Sequence, residues 1–183
     1  MWKKSALSLV ILGIICIAVL VAGCTGTTGQ SKSGVPTVPG GSIKAPETVV
    51  PASVPGFTLE LKYDHEQPMF ENEEYLAEGL YKPELNSTYE GKVAYLAIIV
   101  DKFVNSTAAG GFYQEINGTP VTMSGYSGKY YYEPDMGIAS VVILQSDLII
   151  GSSAQAPENM TIFDESLLRN AAISGTEAAL RNL

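Results

Sequence analysis

The single histidine of the chain, His65, stands between two carboxylates in Asp64-His65-Glu66. On a strand, Asp64 and Glu66 would project to one side and His65 to the other, so the triplet cannot close around one ion as a unit. A catalytic His65 would therefore need distant partners, as in a triad hydrolase. The local signature of such an enzyme is incomplete. Gly125-Tyr126-Ser127-Gly128-Lys129 approaches a nucleophile elbow but carries Lys129 where the second glycine belongs. Carboxylates also gather at Glu66, Glu71, Glu73, Glu74 and Glu78. They could offer oxygen ligands to Ca²⁺, yet no EF-hand loop surrounds them, and a solvated acidic face accounts for the pattern. Phosphate-binding GxxxxGK[ST], dinucleotide GxGxxG, haem CxxCH and zinc HExxH motifs are all missing from the sequence. No catalytic residue, metal or cofactor is assigned on this basis.

Tyrosines are more distinctive. Tyr126, Tyr130, Tyr131 and Tyr132 fall within one expected hairpin. They are a candidate aromatic surface for a sugar or peptide, since tyrosine offers an apolar face and a hydroxyl at low entropic cost. Strand propensity and cross-strand packing are the competing explanation. Four of the seven asparagines, Asn86, Asn105, Asn117 and Asn159, have Ser or Thr two positions later, where about one would by chance under the sequon definition. All four lie in expected loops or helix starts, and they are candidate N-glycosylation sites.

Cys24 follows Lys3, Lys4 and an apolar run that ends Leu20-Val21-Ala22-Gly23. A short basic segment, an apolar core and small residues before a cleavage point are the parts of an export signal. A cysteine directly after them offers a thiol for lipid attachment. The run from Ala6 to Gly23 is about 18 residues, the lower edge of what spans a hydrocarbon core. An uncleaved anchor helix, oriented by its two lysines, is thus the alternative to cleavage. Leu20-Val21-Ala22-Gly23-Cys24 resembles the lipobox of prokaryotic lipoproteins, and the resemblance implies a diacylglycerol thioether on Cys24. Two acyl chains hold a protein stably at a membrane where one does not. The only other cysteine, Cys16, lies inside the apolar run. Beyond Cys24 there is no cysteine, so the exported domain can form no disulfide, no thiolate metal site and no cysteine nucleophile.

From residue 24 to 55 the chain is rich in Thr, Gly, Ser, Pro and Val, with Lys32, Lys44 and Glu47 its only charges. Such a composition does not bury a core, and its prolines favour extended geometry. It reads as a linker between a signal peptide (1–23) and one globular domain (56–183). Loss of Lys3 and Lys4 leaves nine basic residues against 19 acidic ones, a net charge of −10. That balance disfavours nucleic acid and anionic lipid head groups as partners.

The elements of the domain follow from periodicity. Phe57 to Tyr63 alternates as a half-buried strand, and Glu74 to Lys82 reads as a strand or a helix ended by Pro83. Val93 to Val100 is an apolar run suited to a central strand buried on both faces. Asn105-Ser106-Thr107 supplies caps for a short helix over Ala108 to Ile116. Strands are expected at Thr119 to Ser124, Gly128 to Glu133, Ile138 to Gln145 and Leu148 to Ala154, with Ser146-Asp147 as a tight hairpin turn. Thr161 to Asp164 has capping-box spacing, and Leu168, Ala171, Ala172, Gly175 and Ala179 fall on one helical face ending near Arg181. The expected fold is α+β: a largely antiparallel sheet of about five to seven strands, with the middle and C-terminal helices packed on one face.

The lipobox, the linker, the sequons and a cysteine-free acidic domain together resemble small surface lipoproteins of archaea, particularly methanogens. The resemblance implies a location on the outer side of the cytoplasmic membrane, anchored by lipid or by the N-terminal helix. The functional expectation is a non-enzymatic binding or surface-structure domain, with a surface-layer protein, envelope protein or glycan as its partner. A small hydrolase using His65 is the first alternative. A solute-binding module is the second, disfavoured because about 128 residues offer one lobe.

Overall fold

The computed structural model describes residues 45–65 and 70–183, with the backbone alone at His65. The signal segment, Cys24, the first part of the linker and Glu66 lie outside the described residues. Among the described residues there are eleven elements. The described residues run first through α1 (Pro46–Val49), β1 (Ser53–Val54), β2 (Phe57–His65), β3 (Glu73–Pro83) and β4 (Tyr95–Phe103). It continues through α2 (Ser106–Glu115), β5 (Thr119–Met123), β6 (Tyr126–Glu133), β7 (Ile138–Gln145), β8 (Leu148–Gln155) and α3 (Glu165–Leu180). No described helix is long and apolar enough to cross a membrane.

The strands form one antiparallel sheet in the order β1-β2-β3-β4-β8-β7-β6-β5. Two meanders meet at its centre. The first runs outward to inward from β1 to β4; α2 then carries the chain to the far edge, and β5 to β8 return to the middle. The turns have local causes. Ser124 and Gly125 both take positive φ (49° and 85°) between the paired residues Met123 and Tyr126, as a type I′ hairpin requires. Ser146 (φ 58°) starts the two-residue turn that pairs Gln145 with Leu148. β4, fourth of eight, is buried along most of its length, as its apolar run demands.

One sheet face carries the main core. Leu96, Ile98 and Val100 of β4, Val141 and Ile143 of β7, and Ile150 and Ala154 of β8 pack with Leu168, Ala171, Ala172 and Ala179 of α3. The small residues let this helix lie close: a Cβ on Gly175 would stand 2.6 Å from Ser152 Oγ and 3.2 Å from Leu96. The helix begins one turn later than the Thr161 box suggests. Asp164 is the N-cap, its side chain accepting from Leu167 N at 3.0 Å, and the ring of Phe163 before it lies close over Gly137.

Three expectations are corrected. The sheet has eight strands rather than five to seven, the additional one being β1 in the stretch expected to be linker. Residues 45–55 belong to the packed domain: Val49, Val50 and Val54 are buried, and Tyr81 donates from its hydroxyl to Pro51 O at 2.5 Å. The two longer helices do not share a face. Alternation along β8 sends Ile150 toward α3 and Ile149 the other way, and Ile149 packs with Phe103 and Ala109 of α2.

Candidate functional site

The face opposite α3 is only partly roofed, and its floor can be built from strand register. One cross-strand row is Ala97 of β4, Ser153 of β8, Ser140 of β7 and Tyr131 of β6. The next is Ile99, Gly151, Val142 and Lys129, and beyond it come Asp101, Ile149 and Leu144. Directly opposed residues share a face, and Ala97, Ser140, Gly151 and Ser153 are small. The floor therefore sinks between larger neighbours, while Phe112 and Ile116 at the end of α2 form a wall. The result is a recess of ≈ 60 Å³, chiefly apolar in its lining. The Ser140 and Ser153 hydroxyls satisfy each other across it at 2.8 Å.

Polar groups mark its two ends. At the β6 end Lys129 Nζ donates to the carbonyls of Tyr113 (2.7 Å) and Ile116 (2.6 Å) and lies 4.6 Å from the Tyr113 ring centroid. Its ammonium thus caps the C-terminus of α2, where carbonyls lack helical donors and the dipole is negative. Burial pushes the Lys129 pKa down.

At the β4 end stands Asp101, only 3 % exposed. Burial first, then the charge and hydrogen bond of Glu73 and the charge of Glu78, push its carboxyl well above the usual carboxylate range. Its Oδ1 has no hydrogen-bond partner. Glu73 accepts the Phe70 backbone N–H at 2.8 Å. Glu78, in register with Ile99, is buried and pushed up to about 7 by desolvation. Asp147, in the β7–β8 turn, is buried as well. β3 and β4 bring Asp101, Glu73 and Glu78 together, while the charge of Asp147 acts on Lys102; among the described residues no group of three or more His, Cys, Asp or Glu is disposed to hold a metal ion.

The residues singled out from sequence are dispersed. Tyr131 faces the recess and donates to Glu133 at 2.6 Å. Tyr130 faces α3, donates to Glu165 at 3.0 Å and lies under the Arg169 guanidinium. Tyr126 and Tyr132 pack against the α3-side core, so the four tyrosines do not form one surface. Asn86, Asn105, Asn117 and Asn159 are all exposed. Asn105 caps α2 through its side-chain oxygen, 2.9 Å from Ala108 N, and Asn117 borders the recess. His65 is in backbone register with Leu76. Ser127 sits on β6 in register with Thr122, within a hairpin rather than a strand-to-helix turn. Asp101 was not among the sequence candidates, although a carboxylate closing the apolar run of β4 was its signal.

No family model matches the chain, and no curated protein or solved structure matches it. Any reading of function therefore rests on the chain's own residues.

Proposed function

We propose that this chain is a non-enzymatic binding domain anchored to the outer side of the cytoplasmic membrane, and that it binds in the recess opposite α3. The anchor reading rests on Leu20 to Cys24 and the basic residues before them. The binding reading is carried by one observation: a concave, apolar patch of sheet that contains a buried carboxyl with an unmet oxygen. Apolar concavities with a few convergent polar groups are the default binding sites of globular domains. The sequons, all on exposed loops, support N-glycosylation at the same cell surface.

Intact-mass spectrometry of membrane-extracted protein tests the anchor. Lipid mass on a chain starting at Cys24 is expected; a chain that keeps Met1 to Gly23 overturns the lipoprotein reading. Glycan mass on the same molecule would report the sequons. For the recess, Ser140→Trp should fill the floor and abolish thermal stabilisation by any small molecule that stabilises the wild-type chain. Undiminished stabilisation of the variant would place binding elsewhere.

A further inference from the structure

Strand register sets Ser140 of β7 directly opposite Ser153 of β8, on the recess floor between Tyr131 of β6 and Ala97 of β4. Their oxygens stand 2.8 Å apart, and Ser140 is only 7 % exposed. Each hydroxyl is both a donor and an acceptor, so the pair carries two hydrogens. Whichever serine donates, one hydrogen closes the bond and the hydrogen of the accepting serine is left over. No described residue accepts it. The reason is topological: β7 and β8 are each paired on both sides, and their carbonyls are engaged in the ladder.

Lys129 and Tyr131, donors on the same lining, are committed elsewhere. Lys129 donates to the carbonyls at the end of α2, and Tyr131 donates to Glu133. Around the serine pair the surroundings are apolar, with Ile99 and Val142 in the next row and Phe112 on the wall. An O–H held there favours a partner, because a buried donor left unmet is costly. A lone neutral hydroxyl does not offset the desolvation of an ion. The complement of this floor is an uncharged acceptor set among apolar groups.

We propose that the recess, taken as the binding site argued above, receives a small neutral molecule of the ether, ketone or ester class. Its acceptor oxygen takes the spare serine hydrogen, and its apolar body lies along Ile99, Val142 and Phe112. A volume of ≈ 60 Å³ limits the ligand to a few heavy atoms.

NMR titration of the full chain with tetrahydrofuran and with cyclopentane, rings of like size of which only the first carries an oxygen, tests this. Both should shift the methyl signals of Ile99 and Val142. Ser140→Ala combined with Ser153→Ala removes both hydroxyls together and leaves neither partner orphaned, so the fold should tolerate it. The double variant should weaken tetrahydrofuran about fivefold, the worth of one hydrogen bond, and leave cyclopentane within about twofold. In wild-type protein the CH2 protons beside the ether oxygen should show Overhauser contacts to the Hβ protons of Ser140 and Ser153. The far CH2 protons should show them to the methyls of Ile99 and Val142. Equal losses for the two rings, a reversed or absent orientation, or binding of cyclopentane alone overturns the acceptor assignment and leaves the recess as a binding site. Failure of both rings to shift those methyls overturns the underlying reading as well. The orientation is read on wild-type protein and decides the matter even where the double variant does not fold.

Discussion

Ser152 in β8 donates a 2.6 Å hydrogen bond from its hydroxyl to the carbonyl of Ala172, inside α3. That carbonyl also accepts from Thr176 Oγ1 at 3.1 Å. A sheet residue is thereby tied to the backbone of the helix above it, and the tie requires the gap that Gly175 leaves. Gly175→Ala would gain about 1 kcal/mol of helix propensity. The new methyl would have to displace Ser152 or Leu96, at about 1–3 kcal/mol. A net loss of about 1–2 kcal/mol is expected, visible as a thermal midpoint several degrees lower. An unchanged midpoint would mean that α3 is not held this close.

The boundary of the domain can be tested by truncation. A chain beginning at Gly56 loses the buried Val49, Val50 and Val54 and the acceptor of the Tyr81 hydroxyl. Each valine is worth roughly 1.5–3 kcal/mol, and together they rival the whole stability of a typical domain. Chains starting at Ala45 and at Gly56 should differ sharply in urea midpoint. Equal midpoints would return residues 45–55 to the linker.

Stability should fall as pH rises from 5 to 8. In the unfolded chain the Glu78 and Asp101 carboxyls ionise in the ordinary range. In the folded chain burial raises both, Glu78 to about 7. Their contribution is therefore complete below the unfolded pKa and is lost as pH climbs through the folded one. For Glu78 the loss is on the order of 3 kcal/mol. Glu78→Gln should flatten the decline in a series of thermal melts; a variant with the wild-type slope would remove Glu78 as its source.

Lys129→Met keeps much of the side-chain volume and removes the ammonium from the end of α2. A cation at a partly buried helix C-terminus contributes up to about 2 kcal/mol. Amide hydrogen exchange should quicken in Ala109 to Tyr113 more than in α3. Uniform exchange across both helices would show that Lys129 does not secure α2.

Strong local patterns were legible in the sequence. Val93 to Val100 marked a central strand, and Ser146-Asp147 marked the β7–β8 hairpin, because an apolar run and a two-residue turn each have few other solutions. Short elements were not. Thr48 to Val54 hides three core valines, the last of them in a strand of two residues, among Pro, Ser and Ala, too few for any period to appear. The face chosen by α2 was also invisible, since it depends on the chain crossing from β4 to the far edge. The recess was partly readable: period two separates Tyr131 from Tyr130 and Tyr132, and places Asp101 with Ala97 and Ile99. What local pattern lacks is the neighbour, because Ser140 meets Ser153 only after β7 and β8 are paired.

Between the two meanders, β4 with β8 is the strand pairing among the described residues, running from Tyr95 with Gln155 to Lys102 with Leu148. A backbone break between Ile116 and Thr119 would leave two polypeptides, each retaining four consecutive strands, the second also keeping the helix that lies over the seam. Alone, each would expose a long apolar edge and aggregate. Expressed together, the fragments carry matching edges, and this domain is already divided for reassembly from two chains.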